Sequence, residues 1–215
     1  MNPLSYIYLS ILSISSVIGL ICYFLFSKPL KIVSLYVVLT LIIELIGYYC
    51  LYFSLERKVN VYLYNVYIPI GFSLLSLFFY LIVKSQFIKR IIFLVIPIIV
   101  SVNIFFIIQS PKPELNRGLF LYLKGLLIIY SIIYLHQIIN SEESISSNSN
   151  FWVVTGIIFF YSGYFFLSGF IDYISKNNLQ LAQKLFILNP LLNIIYYSLI
   201  TYGFICQRRL AKSLL

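Results

Sequence analysis

Residues 90–109 read RIIFLVIPIIVSVNIFFIIQ, and after Arg90 none of them carries a charge. A helix rises about 1.5 Å per residue, so about 20 residues cross the hydrocarbon core of a bilayer. This stretch has that length and apolarity. Three apolar runs of similar length precede it, at about 4–26, 30–53 and 61–83, and three follow, at 118–139, 151–174 and 184–207. The sequence therefore predicts an all-α polytopic membrane protein: a seven-transmembrane-helix bundle forming a single transmembrane domain over residues 1–215.

Composition leads to the same reading. The chain is 61% hydrophobic and only 10% charged, too few charges to coat a water-facing exterior. Its net charge of +9 is scattered over short connections and forms no basic stripe, so no nucleic-acid partner is expected; the partner is the lipid bilayer. No Lys or Arg precedes the first run, and Lys28 and Lys31 follow it. With Lys84, Lys89, Arg90, Arg208, Arg209 and Lys212 they outnumber Arg57, Lys58, Lys112, Arg117, Lys176 and Lys184 in the alternate connections. The positive-inside rule then sets the N-terminus outside and the C-terminus in the cytoplasm of a bacterial cytoplasmic (inner) membrane. The first run is too long for a signal-peptide core, so it is expected to stay.

An internal repeat links the second run to the sixth. Laying 35–56 on 151–172 pairs Val37, Val38, Ile42, Gly47, Tyr48 and Leu51 with Val153, Val154, Ile158, Gly163, Tyr164 and Leu167. The third run matches the seventh more weakly, with Asn65, Ile70 and Leu75 on Asn189, Ile194 and Leu199. The offset is four helices, so the two copies point the same way: a 3+1+3 parallel repeat with the fourth helix as linker. Chance matching between two aromatic, apolar helices is the plain alternative.

In helix count and repeat this plan resembles SWEET and PQ-loop sugar facilitators, nicotinamide riboside transporters and microbial rhodopsins. The Pro-Gln signature is absent, and the last run has no lysine between Lys184 and Arg208, which removes a retinal site. Over most of its length the chain also resembles a widespread group of small seven-helix bacterial membrane proteins without assigned activity. That resemblance rests on Asn65-Val-Tyr-Ile-Pro69, on Phe151-Trp152 through Ser162-Gly163-Tyr164-Phe165-Phe166-Leu167, and on Leu188-Asn189-Pro190-Leu-Leu-Asn193-Ile-Ile-Tyr196. Members of that group accompany two-component signalling genes, which implies sensing.

Polar residues inside apolar runs are costly unless paired or wetted, so they point to function. Glu44, Lys124, Asn65, Asn103, Tyr161, Tyr164, Asn189 and Asn193 all fall in the outer half of the predicted bundle. Helical spacing puts Glu44, Gly47 and Tyr48 on one face, and Asn189, Asn193 and Tyr196 or Tyr197 on another. The functional reading is an outward-facing polar pocket for a small-molecule ligand, with Glu44 and Lys124 as its charged pair. The plain reading is an internal ion pair with interhelical hydrogen bonds that fix packing.

Pro69, Pro97 and Pro190 fall inside predicted helices and are expected to kink them. The nearby asparagines are placed to satisfy the freed carbonyls. Thr155, Gly156, Ser162, Gly163, Ser168 and Gly169 make a small-residue face on the sixth helix, suited to close packing or to a homodimer. The single His136 has no partner for a metal, and Cys22, Cys50 and Cys206 are expected as buried thiols. No catalytic residues, metal site or cofactor are expected, and the chain does not read as an enzyme. A sensor-like component signalling through a partner protein fits the one-sided polarity best. A small-solute transporter and a structural subunit of a larger complex are the alternatives.

Overall fold

A computed structural model describes residues 3–52, 57–109, 116–140 and 145–213. Among them the regular structure is helical throughout: α1 (Pro3–Ile21), α2 (Lys28–Tyr52), α3 (Arg57–Ile82), α4 (Gln86–Gln109), α5 (Arg117–Ile139), α6 (Ser149–Ser175), α7 (Leu179–Leu185) and α8 (Leu188–Ser213). All but α7 are long and apolar enough to cross a membrane, which makes the protein a multi-pass, seven-helix membrane bundle. Most boundaries lie within a turn of the expected ones.

Two helix ends differ from expectation. The first run, expected at 4–26, stops as a helix at Ile21, and Tyr23–Leu25 forms a 3-10 turn. Pro29 lies in the first turn of α2, so the chain has to reverse before it. Residues 22–26 stay apolar through that reversal because Cys22 and Phe26 are buried in the bundle. The last run, expected as one helix over 184–207, is broken between α7 and α8. Pro190 falls in the first turn of α8, where a backbone N–H has no intrahelical partner to lose. Pro190 therefore opens a helix rather than kinking one. By contrast, α3 and α4 run continuously through Pro69 and Pro97.

The neighbour pattern is a ring, α1–α2–α3–α5–α6–α8 and back to α1, with α4 packed against α3 outside it. Each half repeats the same pairing: α1 on α2 and α2 on α3, then α5 on α6 and α6 on α8. The halves join through α1 with α8 and α3 with α5. That is the packing a three-helix parallel repeat produces when the fourth span is the linker.

The aligned glycines face the third helix of each half with different clearance. A Cβ on Gly47 would lie 3.4 Å from Asn60 Oδ1 and 3.6 Å from the Tyr64 hydroxyl of α3, ordinary contact distances. A Cβ on Gly163 would lie 2.7 Å from Leu192 of α8. Of the two, only at Gly163 would an added Cβ force its neighbour to move. The small-residue face on α6 is thus largely taken up inside the molecule. Gly156 lies against Tyr196 and Leu199, Gly163 against Leu192, and only Gly169 of these glycines has open space around it. The Thr155 and Ser168 hydroxyls donate to carbonyls of their own helix, as does that of Ser162.

Lipid tails are as apolar as leucine side chains, so the ring is held by close packing rather than by exclusion of water. The tightest packing lies toward the end where α8 finishes. Leu30, Val33, Phe78, Phe79, Ile200 and Phe204 are fully buried there, and Phe26 stacks on Phe204 with centroids 4.8 Å apart.

Candidate functional site

All six helices of the ring contribute to one partly open cavity of about 220 Å³. From α2 come Tyr36, Thr40 and Glu44, spaced i, i+4 and i+8 so that they stack along one face. From α3 come Tyr64, Tyr67 and Gly71, again one face by i, i+3 and i+7. The remaining polar lining is Tyr8 of α1, Lys124 of α5, Tyr161 and Tyr164 of α6, and Asn189, Asn193 and Tyr197 of α8. Phe72, Phe120, Leu123, Leu127 and Phe160 complete the wall.

The cavity belongs to the end of the bundle that holds the N-terminus. Glu44 stands eight residues before the end of α2 at Tyr52, about 12 Å at the helical rise. Lys124 lies seven residues into α5 and Asn189 one residue into α8, both of which begin at that same end. Tyr36, near the middle of the bundle, forms the floor; Tyr67 and Tyr161 line the cavity beside it, and its ring meets that of Tyr196 at 6.5 Å. Glu44 and Lys124 are half-buried, whereas Tyr36, Thr40 and Tyr197 are buried.

The polar groups are organised by aromatic partners. The Tyr64 hydroxyl donates to Glu44 Oε1 at 3.5 Å, a long bond, and Tyr8 lines the same cavity from α1. Thr40 gives its proton to the Tyr36 carbonyl at 2.8 Å. Its oxygen is then free to accept from the Tyr67 hydroxyl, 2.7 Å away. Lys124 Nζ lies 3.3 Å from the centroid of the Tyr164 ring, a cation–π contact. On α8, Asn193 Nδ2 donates to the Asn189 carbonyl at 3.0 Å and to its Oδ1 at 3.3 Å.

Of the eight candidate residues, the structure brings Glu44, Lys124, Tyr161, Tyr164, Asn189 and Asn193 to this one cavity. Asn65 and Asn103 stand elsewhere. Both are buried where α3 meets α4, and Asn103 Nδ2 donates to the Asn65 carbonyl at 2.9 Å. The reason is Pro69: four residues after Asn65, it lacks the N–H that would close the helical bond to that carbonyl. An amide from the neighbouring helix takes its place, as the sequence led one to expect of a proline kept in a membrane helix. Asn189 aligns with Asn65 in the repeat, and its carbonyl also accepts an asparagine amide, here from Asn193 of its own helix. The two cases differ in cause: residue 193 is not proline, so the Asn189 carbonyl lacks no helical donor and the Asn193 amide only adds to it.

Sequence reasoning missed Tyr8, Tyr36, Thr40, Tyr64 and Tyr67, and of the two tyrosines it left open beside Asn193 the cavity takes Tyr197. The available signal was the spacing Tyr36-Thr40-Glu44, which continues the Glu44 face toward the centre of the bundle. The face toward Gly47 and Tyr48 had been read instead, and Gly47 meets Asn60 and Tyr64 of α3. His136 is exposed, with Asn140 at 3.5 Å, and Cys22, Cys50 and Cys206 are buried free thiols. Among the described residues no three His, Cys, Asp or Glu side chains group as metal ligands.

Beyond the floor the polar groups are mainly hydroxyls; those of Ser34, Ser76 and Tyr130 are buried without a partner among the described residues, and others bond within their own helix. Ser131 donates to the Leu127 carbonyl and Thr201 to the Tyr197 carbonyl, each on its own helix. Tyr134 donates to Asn148 Oδ1 at the far end. Comparison with known proteins adds no relative: no protein-family model, curated protein or solved structure matches the chain.

Proposed function

We propose that this membrane protein is a sensor- or receptor-like component that takes a small ligand into the cavity at its N-terminal end. The supporting observation is the gathering of an acid, a base, two amides and seven tyrosines around one partly open space, with packed aromatic rings closing the bundle beyond it. A site reached from one side suits binding and reporting better than conduction. The positive charge pattern makes that side the outside of a bacterial inner membrane. A ligand that draws Glu44 of α2 and Lys124 of α5 together changes the spacing of helices that are not neighbours in the ring, and a partner protein would read that change.

A transporter reading draws support from a different observation, the repeated pairing of helices about the cavity. Two equivalent halves can rock about a central site. One experiment separates the readings. The full chain in lipid nanodiscs is screened for thermal stabilisation by a chemically mixed set of small solutes, alongside Glu44→Gln and Lys124→Met. Stabilising solutes are then assayed for flux in proteoliposomes. Stabilisation that both variants lose, without flux, is the sensor-like outcome; flux that both variants abolish makes it a transporter. A wild type stabilised by no solute in the set removes the ligand pocket altogether.

A further inference from the structure

We infer that the ligand is a compact zwitterion, carrying one ammonium and one carboxylate on a short frame. This rests on the ligand-cavity reading above and names its chemistry. Glu44 and Lys124 line the same cavity from α2 and α5, two helices that α3 separates in the ring. Each has an aromatic neighbour: the Glu44 carboxyl group accepts from Tyr64, and the Lys124 amine lies over the Tyr164 ring. The cavity therefore carries one acidic and one basic side chain, each with a partner of its own.

Charge in a half-buried site requires a counter-charge, and an unmatched one is penalised. A ligand with a single positive charge would answer Glu44 and repel Lys124. One with a single negative charge would do the reverse. A zwitterion answers both, station by station. The surroundings agree with that assignment. Tyrosines line the cavity beside the carboxylate, and aromatic rings attract an ammonium, including one whose methyl groups leave it without N–H donors. The lysine ammonium suits a carboxylate. The size is compatible: 220 Å³ holds about seven waters at their liquid volume, room within the cavity for roughly seven to nine non-hydrogen atoms.

The test uses four solutes of nearly equal size on the full chain in nanodiscs, read by equilibrium binding. Glycine betaine and L-valine are isomeric zwitterions, choline is the cation, and tert-butylacetate is the anion with the shape of betaine. At least one zwitterion is expected to bind about tenfold or more tighter than choline and tert-butylacetate. Glu44→Gln leaves Lys124 unopposed and is expected to turn the preference toward tert-butylacetate. Lys124→Met is expected to turn it toward choline. Choline or tert-butylacetate matching the better zwitterion on the wild type overturns the proposal, and that ranking decides the matter even where a variant does not fold. Folded variants that lose affinity for all four solutes without exchanging preference also overturn it. A wild type that ignores these four solutes but is stabilised by others through Glu44 refutes the zwitterion and keeps the pocket. A wild type stabilised by nothing refutes both.

Discussion

The two ends of this bundle are built from the same residue types and do different things with them. At the end holding the N-terminus, tyrosines stand around a space of about 220 Å³ with their hydroxyls turned to Glu44, Thr40 and one another. At the other end, phenylalanines and aliphatic side chains fill the equivalent space, with Phe204 stacked on Phe26 and Phe79 set against Tyr130 at 5.7 Å. The helices continue through both ends, so the backbone does not make the difference. The difference is whether rings meet rings or meet a void lined by polar groups. Stability is expected to reside mainly in the packed end and ligand recognition in the open one.

The largest expected effect that tests this division is Phe204→Ala. It empties a fully buried ring site and should cost about 2–3 kcal/mol in detergent unfolding, somewhat below the cost in water-soluble cores because lipid solvates the unfolded reference. Ligand binding should survive at temperatures where the variant is folded. If Phe204→Ala unfolds like the wild type, the packed end is not where stability resides.

Next comes Gly203→Val. A Cβ at Gly203 already lies 3.0 Å from the Ser149 carbonyl and 3.1 Å from Val153. Prying α6 from α8 there is expected to cost about 1–3 kcal/mol. Gly169→Ala, where nothing lies within 4 Å, should be neutral or stabilising by up to about 1 kcal/mol through helix propensity alone. Equal melting shifts for the two substitutions would contradict the close α6–α8 approach.

Asn103→Leu is expected to cost about 1 kcal/mol by withdrawing the amide from the Asn65 carbonyl. Pro69→Ala restores a backbone donor, so the double variant should recover most of that loss. A double-mutant cycle with no coupling would show that the amide does not stand in for the missing N–H. The smallest stability effect belongs to Glu44→Gln, expected within about 0.5 kcal/mol of wild type because Gln keeps the shape and an acceptor for Tyr64. Stabilisation by the zwitterion that the wild type binds should nevertheless disappear. A large melting shift with ligand response intact would make Glu44 a packing residue and reverse the comparison.

Much of this fold was legible in the sequence because lipid imposes a length on apolar runs, and a charged or polar cluster ends each one. α2, α4, α5 and α6 were readable to within about a turn for that reason. The break at Ile21 was not, because residues 22–26 are apolar whether they extend a helix or fold back into the bundle. The expected 3+1+3 repeat rested on matches such as Gly47 with Gly163, and of these two only Gly163 is closely packed by its neighbour helix. The site was legible only where a residue is conspicuous in lipid. Glu44 and Lys124 stand out in any apolar run. A cavity tyrosine such as Tyr36 looks like each of the other 19 tyrosines of the chain until the partner helices are in place. Asn65 and Asn103 were conspicuous for a different reason, a backbone defect that one of them repairs.

That repair bears on how the chain enters its membrane. A helix released into hydrocarbon with a carbonyl short of its donor is poorly suited to wait there, and α3 carries such a carbonyl at Asn65 until Asn103 arrives. The donor comes on the very next span to be synthesised. Biogenesis thus favours insertion of α3 and α4 as a hairpin. The fourth span then serves as partner to the third, and a cut between them would part the Asn103 amide from the Asn65 carbonyl.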